Sequence, residues 1–481
     1  MDGTTDMGNA STPTWRLLFS GANGAKSCVL AVGVALHAIN LYMILAILPS
    51  AVKDIGGIRY YAWNETLFIV ASIIGSSLSI HALGTLGPRR AYAMAAGVFA
   101  LGALLCALAP SMGVMLWGRS FQGLGAGMLV SLAYAVIRLV FAEPLWTRAM
   151  GMLSSMWGIA TLIGPAMGGL FAEIGAWRLA FWILCAGSLV FAIFAVRVLP
   201  PARAEAGMPT SAMAWRQLML LVMSVLVLSV TSAALHFQQN LAGLAISLGL
   251  FAWFAHCEHN RDTRLLPKGA LGLRSPLLPF YCLLGGLALS VEVIEIFAPL
   301  FLQVLHHQRP VVAGYLSALM AAGWSAGSFT SGGATPHQAR RALATAPVLG
   351  FGAIVFLTWW MPCPASGSLA DIIPIGVAFA AVGTGVGMAW PHLLGGILRL
   401  TPPAEQGLAS ASLTTIQLYT TAVASAVAGT IANAAGLAQP GGTTGAQQAA
   451  FWVFALFSVI PALSILVSRR VVALYRSLGT G

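Results

Sequence analysis

Residues 112–141 read MGVMLWGRSFQGLGAGMLVSLAYAVIRLVF. The run exceeds the ~20 apolar residues that one bilayer-spanning helix needs. It is far too long for a barrel strand, which runs ~10 residues with alternating polarity. Working outward, runs of the same kind lie near 27–50, 64–84, 90–110, 147–172, 176–198, 217–235, 240–256, 277–304, 309–333, 342–361, 369–396, 405–435 and 448–475. The breaks between them are short and carry Pro, Gly or charge, as at Gly87-Pro88-Arg89-Arg90, Glu143-Pro144 and Pro402-Pro403. Composition agrees: of 481 residues, 58% are hydrophobic and 8% charged, against ~45–50% and ~25% in soluble domains. Such a chain cannot clothe a water-facing surface, and disorder would need low hydrophobicity and high charge.

An even number of spans puts both termini on one side. With that side cytoplasmic, 18 of the 24 Lys and Arg fall inside, and Lys53, Arg59, Arg178 and Arg309 fall outside. That is the positive-inside pattern, and it accounts for the formal charge of +11 without nucleic acid. The two basic segments near 197–216 and 257–275 bracket the seventh and eighth spans, which leaves six spans before and six after. Each half has a double arginine between its second and third spans, Arg89-Arg90 and Arg340-Arg341. Related six-span halves are a mark of secondary transporters, whose substrate site lies at the midplane between repeats. The expected fold is therefore an all-α polytopic membrane protein, with two six-helix bundles plus two extra central transmembrane helices, fourteen spans in all. Its expected parts are a cytoplasmic tail (1–26), an N-terminal bundle (27–199), linkers with the extra pair (200–275) and a C-terminal bundle (276–476).

Several stretches resemble the major facilitator superfamily, in particular its fourteen-helix drug:proton antiporter branch. Arg119-Ser120-Phe121-Gln122-Gly123-Leu124-Gly125-Ala126-Gly127 is similar to the buried-arginine motif R-x-x-Q-G-x-G-x-G/A. Gly158 through Gly169, with Gly164-Pro165-Ala166-Met167-Gly168-Gly169, resembles the antiporter motif G-P-x-x-G-G. Trp177-Arg178-Leu179-Ala180-Phe181 looks like the start of the sixth helix, and Ala298 through Gln303 with Ala313-Gly314 resembles the ninth-span signature. Two positions depart. Gly84 stands where the cytoplasmic gate motif G-x-L-x-D-R-x-G-R-R has its aspartate, and His37-Ala38-Ile39-Asn40 occupies the place of an acid customary in the first span. The resemblance implies export by alternating access, with the glycine motif at the interface between halves.

An ionisable group in hydrocarbon costs at least ~2.5–3.5 kcal/mol, so each one is a functional candidate. Three acids fall inside spans: Glu65 near the outer mouth of the second, and Glu292 and Glu295 in the ninth. Glu292 and Glu295 share a helix face, and two carboxylates one turn apart cannot both ionise cheaply in low dielectric. They are candidates for proton coupling or for contact with a cationic substrate; the plain alternative is two acids facing a solvated vestibule. Arg119 needs a carbonyl or carboxylate partner. The resemblance implies that it organises a proton path near His37, Asn40 or Gln122, and the alternative is a structural anchor. His37 has the ring that exchanges protons in the useful range; a packing histidine is the other reading. Gly158, Gly164, Gly168 and Gly169 allow close helix approach, and Pro165 permits a kink.

No metal site or cofactor is expected. Met150, Met152, Met156 and His81 read as packing, the six cysteines form no CxxC pair, and neither a GxxxxGKS loop nor a GxSxG elbow occurs. The expected function is a proton-coupled secondary transporter that exports small amphipathic organic molecules, drugs or metabolites. The competing reading is a symporter or antiporter for one metabolite or organic anion. An enzyme is not expected. The expected partners are a small-molecule substrate, protons and the lipid bilayer. The expected location is the plasma (inner) membrane, multi-pass, with both termini cytoplasmic.

Overall fold

A computed structural model describes residues 15–201, 214–233, 237–260, 263–363 and 367–477. Among these residues the regular structure is helical: α1 (Trp15–Phe19), α2 (Gly21–Ile55), α3 (Trp63–Ala107), α4 (Met112–Val140), α5 (Trp146–Glu173), α6 (Trp177–Val198), α7 (Trp215–Ser232) and α8 (Phe237–Asn260). There follow α9 (Leu277–Val304), α10 (Pro310–Ser331), α11 (Pro336–Trp360), α12 (Leu369–Leu400), α13 (Gln406–Ala434), α14 (Gly442–Phe457) and α15 (Val459–Ser477). Lipid offers the backbone no hydrogen bonds, so each apolar run must satisfy its own N–H and C=O groups as a helix.

Eleven of these segments are long and apolar enough to cross a membrane, the stretch Ile58–Ala107 counting as one and Gly442–Arg476 as another. The first of these holds two spans. Gly87 breaks α3 with φ 74° and ψ 169°, a conformation open to glycine, and Pro88 follows without an N–H to continue the ladder. The helices α10 and α13 complete fourteen spans. They are less apolar because they carry many Ser and Thr, whose hydroxyls bond back to carbonyls of their own helix, as Ser317 does to Ala313 and Thr430 to Ala426. Within the expected tail at 1–26, 15–19 and 21–26 are helical, with Ser27 Oγ donating to the Leu18 carbonyl at 2.9 Å, while 1–14 lie outside the described residues. The inter-bundle linker also falls partly outside them.

The helices pair as two related bundles. In the first, α4 lies against α3 so closely that a Cβ on Gly123 or Gly127 would collide with the carbonyls of Phe68 and Ser72. In the second, α12 lies against α10 in the same way, where Gly383 and Gly387 face the carbonyls of Met320 and Trp324. Both are small-x-x-x-small pairs, the device that gains van der Waals contact where lipid supplies no hydrophobic drive. The extra helices α7 and α8 pack on each other, and α7 rests on α3 and α13. There Trp63 Nε1 donates to Ser232 Oγ at 3.2 Å and Ser224 bonds the Tyr419 hydroxyl at 3.1 Å.

Contacts between the bundles gather at one end. Asn433 Nδ2 donates to the Arg59 carbonyl at 2.8 Å, Ser425 Oγ to the Ala62 carbonyl at 2.8 Å, and Gln303 Nε2 to the Ala46 carbonyl at 3.4 Å. The Glu173 carboxylate accepts from Val311 N at 3.4 Å and lies 4.0 Å from Arg309 Nε.

Gly127→Val and Gly387→Val should each lower the thermal midpoint of the detergent-solubilised protein, since overpacking a close contact costs ~1–3 kcal/mol or more. Gly84→Ala meets nothing within 4 Å and should leave the midpoint unchanged. Equal midpoints for all three in a melting curve would contradict the packing.

Candidate functional site

The site begins with a charge that water does not reach. Arg119 of α4 is 0% exposed. Its Nε donates to the Asn64 carbonyl at 3.2 Å and its Nη1 to Gln122 Oε1 at 3.0 Å. The guanidinium carbon lies 4.2 Å from the centre of the Phe68 ring, a cation–π contact that strengthens when desolvated. Nη2 lies 3.9 Å from Glu65 Oε2 and has no hydrogen-bond partner. Three of the four partners therefore come from one turn of α3, residues 64–68.

His37 packs on the same ring, its centroid 5.5 Å from that of Phe68 and 5.6 Å from that of Trp157. Its Nδ1 has no partner in the protein, and neither do the two side-chain polar atoms of Asn40, which is 0% exposed. Gln122 spends its Oε1 on Arg119 and keeps Nε2 free. Buried polar groups are normally paired, so this cluster is polar capacity held in an apolar bundle.

The acids of α9 approach from the other bundle. Glu292 Oε1 accepts from Thr421 Oγ1 of α13 at 2.7 Å. Glu295 lines a narrow cleft with Tyr42 and Leu45 of α2, Pro165 of α5, and Gly314, Ser317 and Ala318 of α10. Both are half-buried.

The wall of that cleft is the glycine motif. A Cβ on Gly164 or Gly168 would strike α2 at Tyr42 and Met43, and one on Gly169 would strike Val311 of α10. Gly314 of α10 in turn faces Pro165. The segment is thus wedged between its own bundle and the other, with Tyr315 donating from its hydroxyl to the Leu162 carbonyl at 3.0 Å. Gly158 differs from expectation: it is exposed and nothing lies within 4 Å of a Cβ there. The close backbone approach begins at Gly164, one and a half turns later, because Gly158 lies on an exposed face of α5.

Two further motif positions find partners. Arg178 bonds Asp54 and, at 2.9 Å, the Ala109 carbonyl, while Trp177 Nε1 donates to Asp54 Oδ2 at 3.1 Å. These contacts tie α6 to the ends of α2 and α3. Arg89 Nε donates to the Leu199 carbonyl at 3.1 Å, so the loop with Gly84 in place of the aspartate is held by a backbone carbonyl at the end of α6. Among the described residues, no group of three or more His, Cys, Asp or Glu could hold a metal ion.

Sequence reasoning missed Glu65 as the acid beside Arg119, and missed Thr421 and Tyr42 as neighbours of Glu292 and Glu295. The signal available for Glu65 was its place among the few acids within spans.

Comparison with known proteins fits this geometry. A probable multidrug-efflux transporter of Mycobacterium tuberculosis is 34% identical over 482 residues, covering 96% of this chain and 97% of its own. A multidrug efflux pump of Staphylococcus aureus is 30% identical over 150 residues, 31% of this chain and 33% of that one. Among solved structures, a D-xylose-proton symporter superposes with a TM-score of 0.63 at 13% identity, covering 92% of this chain and 97% of that chain. A bacterial homologue of the lysosomal transporter Spinster gives 0.63 at 13% identity, with 95% and 98% covered. The sequence profile of the Major Facilitator Superfamily matches residues 30–425, and the chain belongs to that family.

Proposed function

We propose that this transporter is a proton-coupled exporter of small amphipathic organic molecules, of the fourteen-helix drug:proton antiporter type, and that it works by alternating access. The observation that carries the reading is Glu295 of α9, which lines a cleft with Tyr42 of α2 and Pro165 of the glycine wedge of α5, one turn from Glu292. A carboxyl at the moving interface can trade a proton for cargo. Loaded from outside, the proton is displaced by substrate arriving from the cytoplasm, and the gradient supplies ~2.3 kcal/mol per charge per 100 mV. The efflux names of the relatives from M. tuberculosis and S. aureus support the export direction. The functional units of this proposal are the bundles 27–199 and 276–476, with the segment 200–275 carrying the extra pair.

The basic residues at the loops support a plasma-membrane protein with cytoplasmic termini. In that orientation the Asn433–Arg59 and Arg309–Glu173 contacts are external, and the bundles part toward the cytoplasm. His37, Asn40, Gln122 and Arg119 then form the polar floor of the N-terminal bundle, which holds α4 in register while the bundles rock.

In proteoliposomes, Glu292→Gln with Glu295→Gln should reduce pH-driven dye efflux at least tenfold while the protein still elutes as a folded species. Undiminished proton-driven flux in that double variant would remove both residues from the coupling role.

The wedge gives a second test. Gly169→Ala should slow efflux severalfold, because its methyl meets Val311 across the bundles, and Gly158→Ala should leave the rate unchanged. Initial rates measured side by side decide it, and equal losses would contradict the wedge.

A further inference from the structure

We infer that Tyr419 of α13 is a positioning residue for proton coupling: clamped by the extra helices α7 and α8, it sets α13 so that Thr421 keeps its hydroxyl on Glu292. The inference deepens the exporter reading, rests on it, and gives the extra pair a part in the cycle.

The sequence of α13, QGLASASLTTIQLYTTAVASAVAGTIANA, is rich in Ala, Ser and Thr, and Tyr419 is its one aromatic residue. Small side chains let neighbouring backbones come close, but they interlock little. A large ring gripped from outside supplies what they lack. Ser224 of α7 is 0% exposed and donates its hydroxyl to the Leu221 carbonyl at 2.7 Å. In its 3.1 Å contact with Tyr419 the phenol is therefore the donor. Phe251 of α8 lies nearly parallel to the Tyr419 ring, with centroids 5.7 Å apart and planes at 12°, an offset stack of the favoured kind.

Thr421 follows two residues later, ~200° around the helix, and so faces away from the extra pair. Its Oγ1 donates to Glu292 Oε1 at 2.7 Å, a bond that a displacement of about 1 Å would break. The segment is held between a ring on one side and a carboxylate on the other.

The clamp has support at both ends of α13. Asn433, about four turns beyond Tyr419 and on the same face, donates from Nδ2 to the Ser232 carbonyl of α7 at 3.2 Å. At the opposite end, Glu405 Oε2 accepts from Lys268 N at 2.8 Å, and its Oε1 lies 3.6 Å from Arg264 Nη1. The loop that carries Arg264 and Lys268 is itself fastened to the extra pair. The Glu258 carboxylate of α8 accepts from Leu265 N at 2.9 Å and Leu266 N at 3.0 Å. Gln217 Nε2 of α7 donates to the Thr263 carbonyl at 2.6 Å. The extra pair thus fixes the height and rotation of α13 along its length, and with them the place of Thr421.

The test uses the full chain in lipid. The infrared C=O stretch of protonated carboxyls is recorded from acid to alkaline pH, and the Glu292 component is the one missing from Glu292→Gln. Thr421→Val should move that component to higher wavenumber, because the carboxyl loses a donor. Tyr419→Ala should move it the same way, although Tyr419 lies on the other side of α13. The Tyr419→Ala, Thr421→Val double variant should show no further shift. Tyr419→Phe, which keeps the ring stack, should fall between the wild type and Tyr419→Ala. Ethidium efflux driven by a pH gradient should drop severalfold in Tyr419→Ala and in Thr421→Val, and no further in the double variant. A Glu292 component that moves in Thr421→Val but stays in place in Tyr419→Ala would overturn the inference, as would efflux losses that multiply in the double variant. If Tyr419→Ala fails to fold, Phe251→Ala decides: a displaced band supports the clamp, and an unmoved one refutes it. Full driven efflux in Glu292→Gln would instead remove Glu292 from coupling, while its band would still report whether Tyr419 holds Thr421 in place.

Discussion

A guanidinium buried without water must be neutralised by the protein itself, and the first bundle is organised around that requirement. Breaking a buried pair by removing one partner typically costs ~3–5 kcal/mol. Arg119 is met by a backbone carbonyl, an amide, an aromatic face and a carboxylate, all but the amide from one turn of α3. That demand fixes how α4 sits against α3 in rotation and in height. The glycines at 123 and 127, one and two turns further along, then fall where α3 comes closest. The same glycine spacing holds α12 to α10 in the second bundle, where no arginine takes part. The charge therefore adds position to a pairing that small residues already make possible.

Much of this was legible in the sequence because lipid leaves few choices. Runs of apolar residues must be helices, so the spans could be placed from the chain alone, and Arg119, Glu292 and Glu295 stood out as charges in hydrocarbon. Helix-to-helix partnership was less legible. Glu65 and Arg119 lie 54 residues apart with a whole span between them, and no local period connects them. Thr421 reaches Glu292 from a distance of 129 residues. Gly158 shows the opposite failure, since of the four glycines read as one close-packing set only 164, 168 and 169 are met by a neighbouring helix. A glycine in a sequence states permission for close approach; whether a neighbour uses it depends on where the two helix axes converge.

The wedge of α5 relates the two bundles to the acids. Pro165, Gly314 and Glu295 line one cleft, so a shift of α5 against α10 changes the volume beside a carboxyl. Packed interfaces tend to be bistable and do not deform continuously, and a contact between backbones through Gly169 and Val311 is of that kind. In the proposed cycle, protonation at Glu295 and the fit of α5 against α10 would act on the same equilibrium, which is what coupling between two ligands requires.

The distribution of polar contacts separates the firm parts of the molecule from its seam. Hydrogen bonds between bundles at Asn433, Ser425 and Gln303 end on backbone carbonyls at Arg59, Ala62 and Ala46. Such bonds are individually weak, about 1 kcal/mol net, and can be exchanged for water as the bundles rock. The buried Arg119 network cannot be exchanged so cheaply, because its groups have no water to turn to. The rigid parts of the molecule are thus the bundles themselves, and the seam between them is built from interactions weak enough to be remade in every cycle. In the proposed cycle, an acid on that seam, as Glu295 is, would experience both states.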